Sequence, residues 1–254
     1  MKTTKLIYFL RKKFPKKNSL KKDYLGLQIG RFKKNTNKIA ICLDFNSNVL
    51  KKIIHKNVDL VITHHPFIYG DFDNVIQKDW LKKKLVNKIE KLKIPIYSIH
   101  TNFDCSDEGM NVILAKKLGL KNIQKIKENK IIRGGTLKYS MTIKNFAKYV
   151  KKKLKIPHVY ILKNNNKEIK KVAICAGSGA DMFQIAQNNN YDIFCSGDAP
   201  QHIRNSIKNY KYNYLELFHE IEKVFIYAMK KIINKIDNKI KIYCIDEQRY
   251  PEII

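Results

Sequence analysis

Two histidines stand side by side at the end of a β-branched, apolar run, Asp59-Leu60-Val61-Ile62-Thr63-His64-His65-Pro66. Successive side chains on a strand point to opposite faces. His64 and His65 therefore do not easily grip one ion, but each can serve one of two ions lying side by side. More donors follow downstream: Asp104 in His100-Thr101-Asn102-Phe103-Asp104, then His219 and Glu222 in His219-Glu220-Ile221-Glu222. Imidazoles and carboxylates together make the donor set of a dinuclear divalent-metal site. Each piece also has a structural reading. A His-His dipeptide can end in a solvated turn. Asp104 can cap the helical pattern from Met110 to Leu118. His219 and Glu222, at i and i+3, share one helix face, usually a wet one.

The elements that would position these donors come as an internal repeat. Ile39-Ala40-Ile41-Cys42 matches Val172-Ala173-Ile174-Cys175 at an offset of 133. At the same offset Asp59 to Pro66 falls on Asp192-Ile193-Phe194-Cys195-Ser196-Gly197-Asp198-Ala199. A third match, at another offset, sets Ile96-Tyr97-Ser98-Ile99-His100 beside Ile242-Tyr243-Cys244-Ile245-Asp246. Helical patterns precede both, Trp80 to Leu92 and Ile221 to Ile236. The expected fold is α/β, two similar halves related by internal duplication, each with mostly parallel strands covered by helices. Ligands of such sheets gather beyond the carboxyl ends of the strands. His64, His65 and the segment from His100 to Asp104 sit at such ends.

In these segments the chain resembles the NIF3-like family, many members of which carry the label GTP cyclohydrolase 1 type 2 homolog. Asp23-Tyr24-Leu25-Gly26-Leu27-Gln28-Ile29-Gly30, Thr63-His64-His65-Pro66, and His100 to Asp104 with Gly109-Met110-Asn111 carry the likeness. Gly177-Ser178-Gly179 and the helix start before Lys223-Val224-Phe225 extend it, from about Leu6 to Pro251. The resemblance implies two metal ions, a two-lobed α/β protomer and a hexameric ring. It implies no settled reaction. This chain departs from the family at one ligand: the histidine usually lies four residues before the glutamate, at Phe218 here, whereas His219 lies three before Glu222. Gly197-Asp198 also stands where longer relatives often show Gly-Glu.

Composition bounds the rest. The chain has 254 residues, 44% of them hydrophobic, enough for one large or two small domains. No apolar run approaches the roughly 18–20 residues of a membrane span, and the N-terminus reads as an amphipathic helix rather than a signal peptide. The five cysteines are odd in number and sit mostly in apolar strand patterns. That usage points to a reducing cytoplasm without structural disulfides, with Cys105 beside the proposed site. The net charge of +29 attracts polyanions. However, only Arg11, Arg31, Arg133, Arg204 and Arg249 are arginines, and the lysines are spread along the chain, so no specific nucleic-acid site is expected.

The expected organisation is an N-terminal half over residues 1–125 and a bridge over 126–170. That bridge has a turn at Gly134-Gly135 and a helix from Ile143 to Leu154 stopped by Pro157. A C-terminal half over 171–254 supplies His219 and Glu222. In function we expect a metal-dependent hydrolase of a small or nucleotide-like substrate, holding two divalent cations (Zn, Fe, Mn or Ni). His64 and His65 would each bind one ion, Asp104 and Glu222 would supply charge, and His219 would complete the second shell. His100 would be a supporting hydrogen-bonding group, a proton shuttle, or an ordinary strand-end histidine. Gly177-Ser178-Gly179-Ala180 would be a tight turn or a phosphate cradle. The alternative function is a non-enzymatic metal-loaded scaffold or metal-insertion partner. The expected partner is the chain itself, as a homo-oligomer and by resemblance a hexamer, with no membrane.

Overall fold

The computed structural model describes residues 1–252. Its strands are β1 (Gly26–Ile29), β2 (Lys38–Cys42), β3 (Leu60–Thr63), β4 (Ile96–Ser98), β5 (Lys121–Ile126), β6 (Asn129–Met141), β7 (Tyr160–Leu162), β8 (Ile169–Cys175), β9 (Ile193–Ser196), β10 (Asn213–Glu216) and β11 (Lys241–Cys244). Its helices are α1 (Thr3–Lys13), α2 (Ser47–Ile53), α3 (Phe72–Lys78), α4 (Trp80–Lys91), α5 (Thr101–Asp104), α6 (Met110–Lys117), α7 (Ile143–Leu154), α8 (Phe183–Asn188), α9 (Gln201–Asn209) and α10 (Val224–Ile236). The chain forms two compact units. The first holds Met1–Phe103 and Phe225–Gln248; the second holds Asp104–Val224 and the segment from Arg249.

The first unit is built on a five-stranded sheet in the order β1-β4-β3-β2-β11. β4, β3, β2 and β11 are parallel, and β1 closes the β4 edge antiparallel. β3 is buried along its whole length, which is why its sequence reads as a continuous apolar run instead of an alternation. α2 starts at Asn46, whose side chain accepts from the N–H groups of Asn48 and Val49. α4 starts at Asp79, which accepts from the N–H of Lys82. Val49, Leu50, Ile53, Leu85, Val86 and Ile89 of these two helices pack into one core with Ala40, Val61 and Ile96 of the sheet.

The second unit has a six-stranded sheet in the order β5-β6-β8-β9-β10-β7. β8, β9 and β10 are parallel, while β5, β6 and β7 run antiparallel to their neighbours. α7 is capped by Thr142 and ends with Lys155 in the left-handed region, two residues before Pro157.

The duplication is visible in detail. β2-α2-β3 and β8-α8-β9 follow the same course at the offset of 133. The Asp59 carboxylate accepts from the N–H groups of Asn37 and Lys38 and pairs with Lys33. Asp192 accepts from those of Lys170 and Lys171 and pairs with Lys167. The third sequence match is corrected. β4 and β10 occupy equivalent places, with Ile96 opposite Val61 and Tyr214 opposite Phe194, an offset of 214 − 96 = 118. β11, which carries the matched Ile242 to Cys244, instead pairs with β2 inside the first unit. The expected divisions differ accordingly: α10 and β11 belong to the first unit, and β6, α7 and β7 belong to the second unit rather than to a bridge. Gly134 and Gly135 form no turn but lie mid-strand in β6. A Cβ on Gly134 would stand 1.8 Å from the Tyr191 hydroxyl, and one on Gly135 would stand 2.9 Å from Leu120 Cβ. These glycines serve close packing.

Candidate metal centre

In the first unit, β3 delivers His64 and His65 just past its carboxyl end, and β4 delivers His100 two residues past its own. The three imidazoles offer donor atoms that all lie within 4.8 Å of one another. His64 is fully buried, with its ring 4.9 Å from that of Phe225 and 5.2 Å from that of His100. Each ring is held through Nδ1. His64 Nδ1 lies 2.9 Å from the Ile99 carbonyl, His65 Nδ1 lies 2.7 Å from Asp44 Oδ1, and His100 Nδ1 lies 2.8 Å from Asp23 Oδ1. A neutral imidazole that donates from Nδ1 presents its lone pair at Nε2. That is the tautomer and orientation a metal-binding histidine needs.

Asp23 explains why the two N-terminal motifs belong together. Besides His100 it takes the Thr101 N–H and hydroxyl, at 3.1 and 2.5 Å. Burial would raise its pKa, but the bonds from His100 and Thr101 prevail and lower it. Asn102 donates to the Phe14 carbonyl at 2.7 Å and ties the segment to the end of α1.

In the second unit the donors are Asp104, His219 and Glu222. Asp104 is 5% exposed and Glu222 is 3% exposed. His219 to Lys223 is a 3-10 turn. Residues at i and i+3 stack in that geometry, so a three-residue spacing brings His219 Nε2 within 3.1 Å of Glu222 Oε2. His219 Nδ1 lies 2.5 Å from Asp198 Oδ2 at the end of β9. Burial would lower the His219 pKa, but the flanking Asp198 and Glu222 outweigh it and hold it up to about 11. Two carboxylates here thus draw a positive charge to the space between them. Gly177, at φ +69°, gives Glu222 its room: a Cβ there would stand 2.7 Å from Glu222 Oε1. This is a structural turn, followed by a 3-10 turn and the short α8.

Burial, followed by the charges of Asp104 and then Glu222, drives the Cys175 thiol well up, so both carboxylates act on one buried sulfur. Cys105 is likewise pushed up to about 12 by burial and then by Asp104, which makes it a buried thiol and not a nucleophile. Arg133, almost fully buried, donates to the carbonyls of Cys105 and Ser106 at 2.7 and 3.2 Å and fixes the backbone that follows Asp104. Asn111 donates to the Ile131 carbonyl and accepts from the Ala176 N–H, tying α6 to the end of β8.

His64, His65, His219 and Glu222 stand beside polar partners at a strand end or turn, and Asp104 closes the short α5. Sequence reading did not find Asp23, Asp44 and Asp198, the partners of three of the four imidazoles, because each lies 21 or more residues from its histidine. It gave His100 only a supporting role, whereas the structure groups it with His64 and His65. The donor chemistry fits a divalent metal: imidazoles held through Nδ1, with buried carboxylates for charge.

The model of the family described as Duf34/NIF3 (NGG1p interacting factor 3) matches residues 1–251. The chain belongs to this family. Among its relatives is a GTP cyclohydrolase 1 type 2 homolog of Clostridium acetobutylicum, 32% identical over 193 residues and covering 72% of each chain. The like-named protein of Clostridium perfringens is 30% identical over 237 residues, covering 90% of each. Among solved structures, a Bacillus cereus protein related to NIF3 superposes with a TM-score of 0.89 over 100% of this chain and 99% of that one, at 19% identity. Reduced HcgD from Methanocaldococcus jannaschii gives 0.83 over 96% and 97%, at 25% identity. The two-half NIF3 fold is thereby established for this chain.

Proposed function

We propose that the protein binds two divalent cations through His64, His65, Asp104, His219 and Glu222, with His100 beside the first two, and hydrolyses a small or nucleotide-like substrate. The observation that carries this reading is the shared posture of four imidazoles, each engaged at Nδ1. Divalent ions bound there would supply Lewis acidity and a water acidic enough to attack near neutral pH. Asp23, Asp44 and Asp198 hold the rings in the ligating tautomer, and Asp104 and Glu222 offset cationic charge. The names of the curated relatives make a guanine nucleotide the first substrate to try. Zn, Fe, Mn and Ni all suit this donor set.

The test is elemental analysis of the purified protein, followed by hydrolase screening with and without chelator. His64→Ala and His65→Ala should each lose part of the metal. If Glu222 bridges the two ions, Glu222→Ala should lose more than His219→Ala, because both ions would then lose a charge-neutralising oxygen. Phe218→Ala should leave the metal content unchanged: its ring packs on His158 and Tyr160, away from any donor role. Wild-type metal content in both His64→Ala and Glu222→Ala would sink the reading.

We also propose self-association, with the hexamer as the expected form, and residence in the cytoplasm, which suits five free thiols. Among the described residues no helix is long and apolar enough to cross a membrane. Light scattering at about 0.15 M salt should find a species several times the 29.9 kDa protomer; a protomer-sized species alone would refute the assembly.

A further inference from the structure

The connections β2-α2-β3 and β3-α4-β4 both run between neighbouring parallel strands, so right-handed crossovers put α2 and α4 on the same face of the first sheet. Their inner sides fill the core. Their outer sides leave a groove of about 450 Å³, in the size range of real binding clefts. Leu50 and Leu85 form its floor, 4% and 7% exposed. Ile54 and Leu92 form its walls and are 37% and 38% exposed. Lysines stand on both rims: Lys51 on α2, and Lys88 and Lys91 on α4. Among the described residues no carboxylate lies within 4.0 Å of any of the three, although Lys52 next door pairs with Glu247.

We propose that this groove docks an acidic amphipathic helix of a partner protein. An apolar channel between two helices takes the apolar stripe of a third, which is a recurrent mode of recognition. The charge pattern selects among occupants. A single-headed amphiphile carries its charge at one end, whereas cations on both rims match a stripe flanked by carboxylates on both sides. α2 and its 3-10 continuation span 7 + 3 = 10 residues, a wall of about 15 Å that accommodates roughly three turns of a partner helix.

The test uses the full-length protein and a labelled synthetic helix of about four turns, with leucines at i, i+3, i+4 and i+7 flanked by glutamates. A scrambled peptide of the same composition controls for the protein's overall charge. Fluorescence anisotropy at about 0.15 M salt should show the striped peptide binding at least about tenfold tighter than the scrambled one. Ile54→Glu, at an exposed wall position, and the double variant Lys51→Glu/Lys88→Glu should each erase that preference while thermal melts stay near wild type. Lys152→Glu/Lys153→Glu on α7 should keep it. Equal binding of the two peptides, or a preference that survives both groove variants, overturns the proposal. So does binding of dodecanoate with none of the striped peptide, which would give the groove to a single-headed amphiphile.

Discussion

The two units share one strand-helix-strand scaffold but finish it differently. Where β3 ends in His64-His65, β9 ends in Gly197-Asp198. Where Asp44 steadies His65 through a 2.7 Å bond, the equivalent position (44 + 133 = 177) is Gly177, which makes room for Glu222. The first unit therefore offers three imidazoles, and the second offers carboxylates with one imidazole. Duplication has preserved the hydrogen bonds that hold strands together, at Asp59 and Asp192, and has let the strand ends diverge. Residues that fix backbone are constrained by the fold; residues beyond the last ladder bond are released for chemistry.

The largest expected effects come from the carboxylates that orient rings. Asp44→Ala and Asp198→Ala should each weaken metal binding by about 10–100-fold, read by titration against a chromophoric chelator. Asp198→Ala should be the more severe, because it also removes a charge beside Glu222. Unchanged affinity in both would remove ring orientation from the account.

Asp59→Ala and Asp192→Ala should cost about 2 kcal/mol each, equally if the scaffold is truly common to both units. For both aspartates burial would raise the pKa, but their hydrogen bonds with backbone N–H groups and lysines prevail and lower it. A depressed carboxylate stabilises fully above its unfolded value and loses that contribution as pH falls through its folded value. The gap in urea midpoints between wild type and each variant should be full near about pH 7 and shrink in acid, as the pH falls through the depressed folded value of the carboxylate. A gap in only one unit would break the comparison.

The smallest effect is expected at Gly177→Ala. The left-handed backbone there costs about 1 kcal/mol for a residue with a Cβ, and the new methyl must displace Glu222. A small drop in melting temperature accompanied by a fall in metal content is the expected signature. A drop in stability alone would separate Gly177 from the donor set.

Much of this was legible in the chain. The buried strand β3 showed as an apolar run, the helices over 80–91 and 143–154 showed by spacing and, for the second, by the stop at Pro157, and the histidines stood where the strands stop. What escaped was long-range or depended on geometry. β11 resembles β4 in sequence because both are short strands of similar composition, although only β4 is fully buried, and similarity of that kind carries no information about partners. Gly134-Gly135 read as a turn, since nothing local announces the Tyr191 ring packed across the strand. The three-residue spacing of His219 and Glu222 looked like a lost residue, until a 3-10 turn made it the spacing that stacks the two side chains.

The return of the chain to its first sheet has a consequence for biosynthesis. β2 is joined by β3 soon after it leaves the ribosome, but its other edge is closed by β11, 241 − 42 = 199 residues later. At about 5–20 residues per second, that edge stays unpaired for roughly 10–40 seconds of translation. A ribosome that stalls within the second unit would leave a nascent chain with an open, apolar strand border, an invitation to pair with its neighbours on the same message.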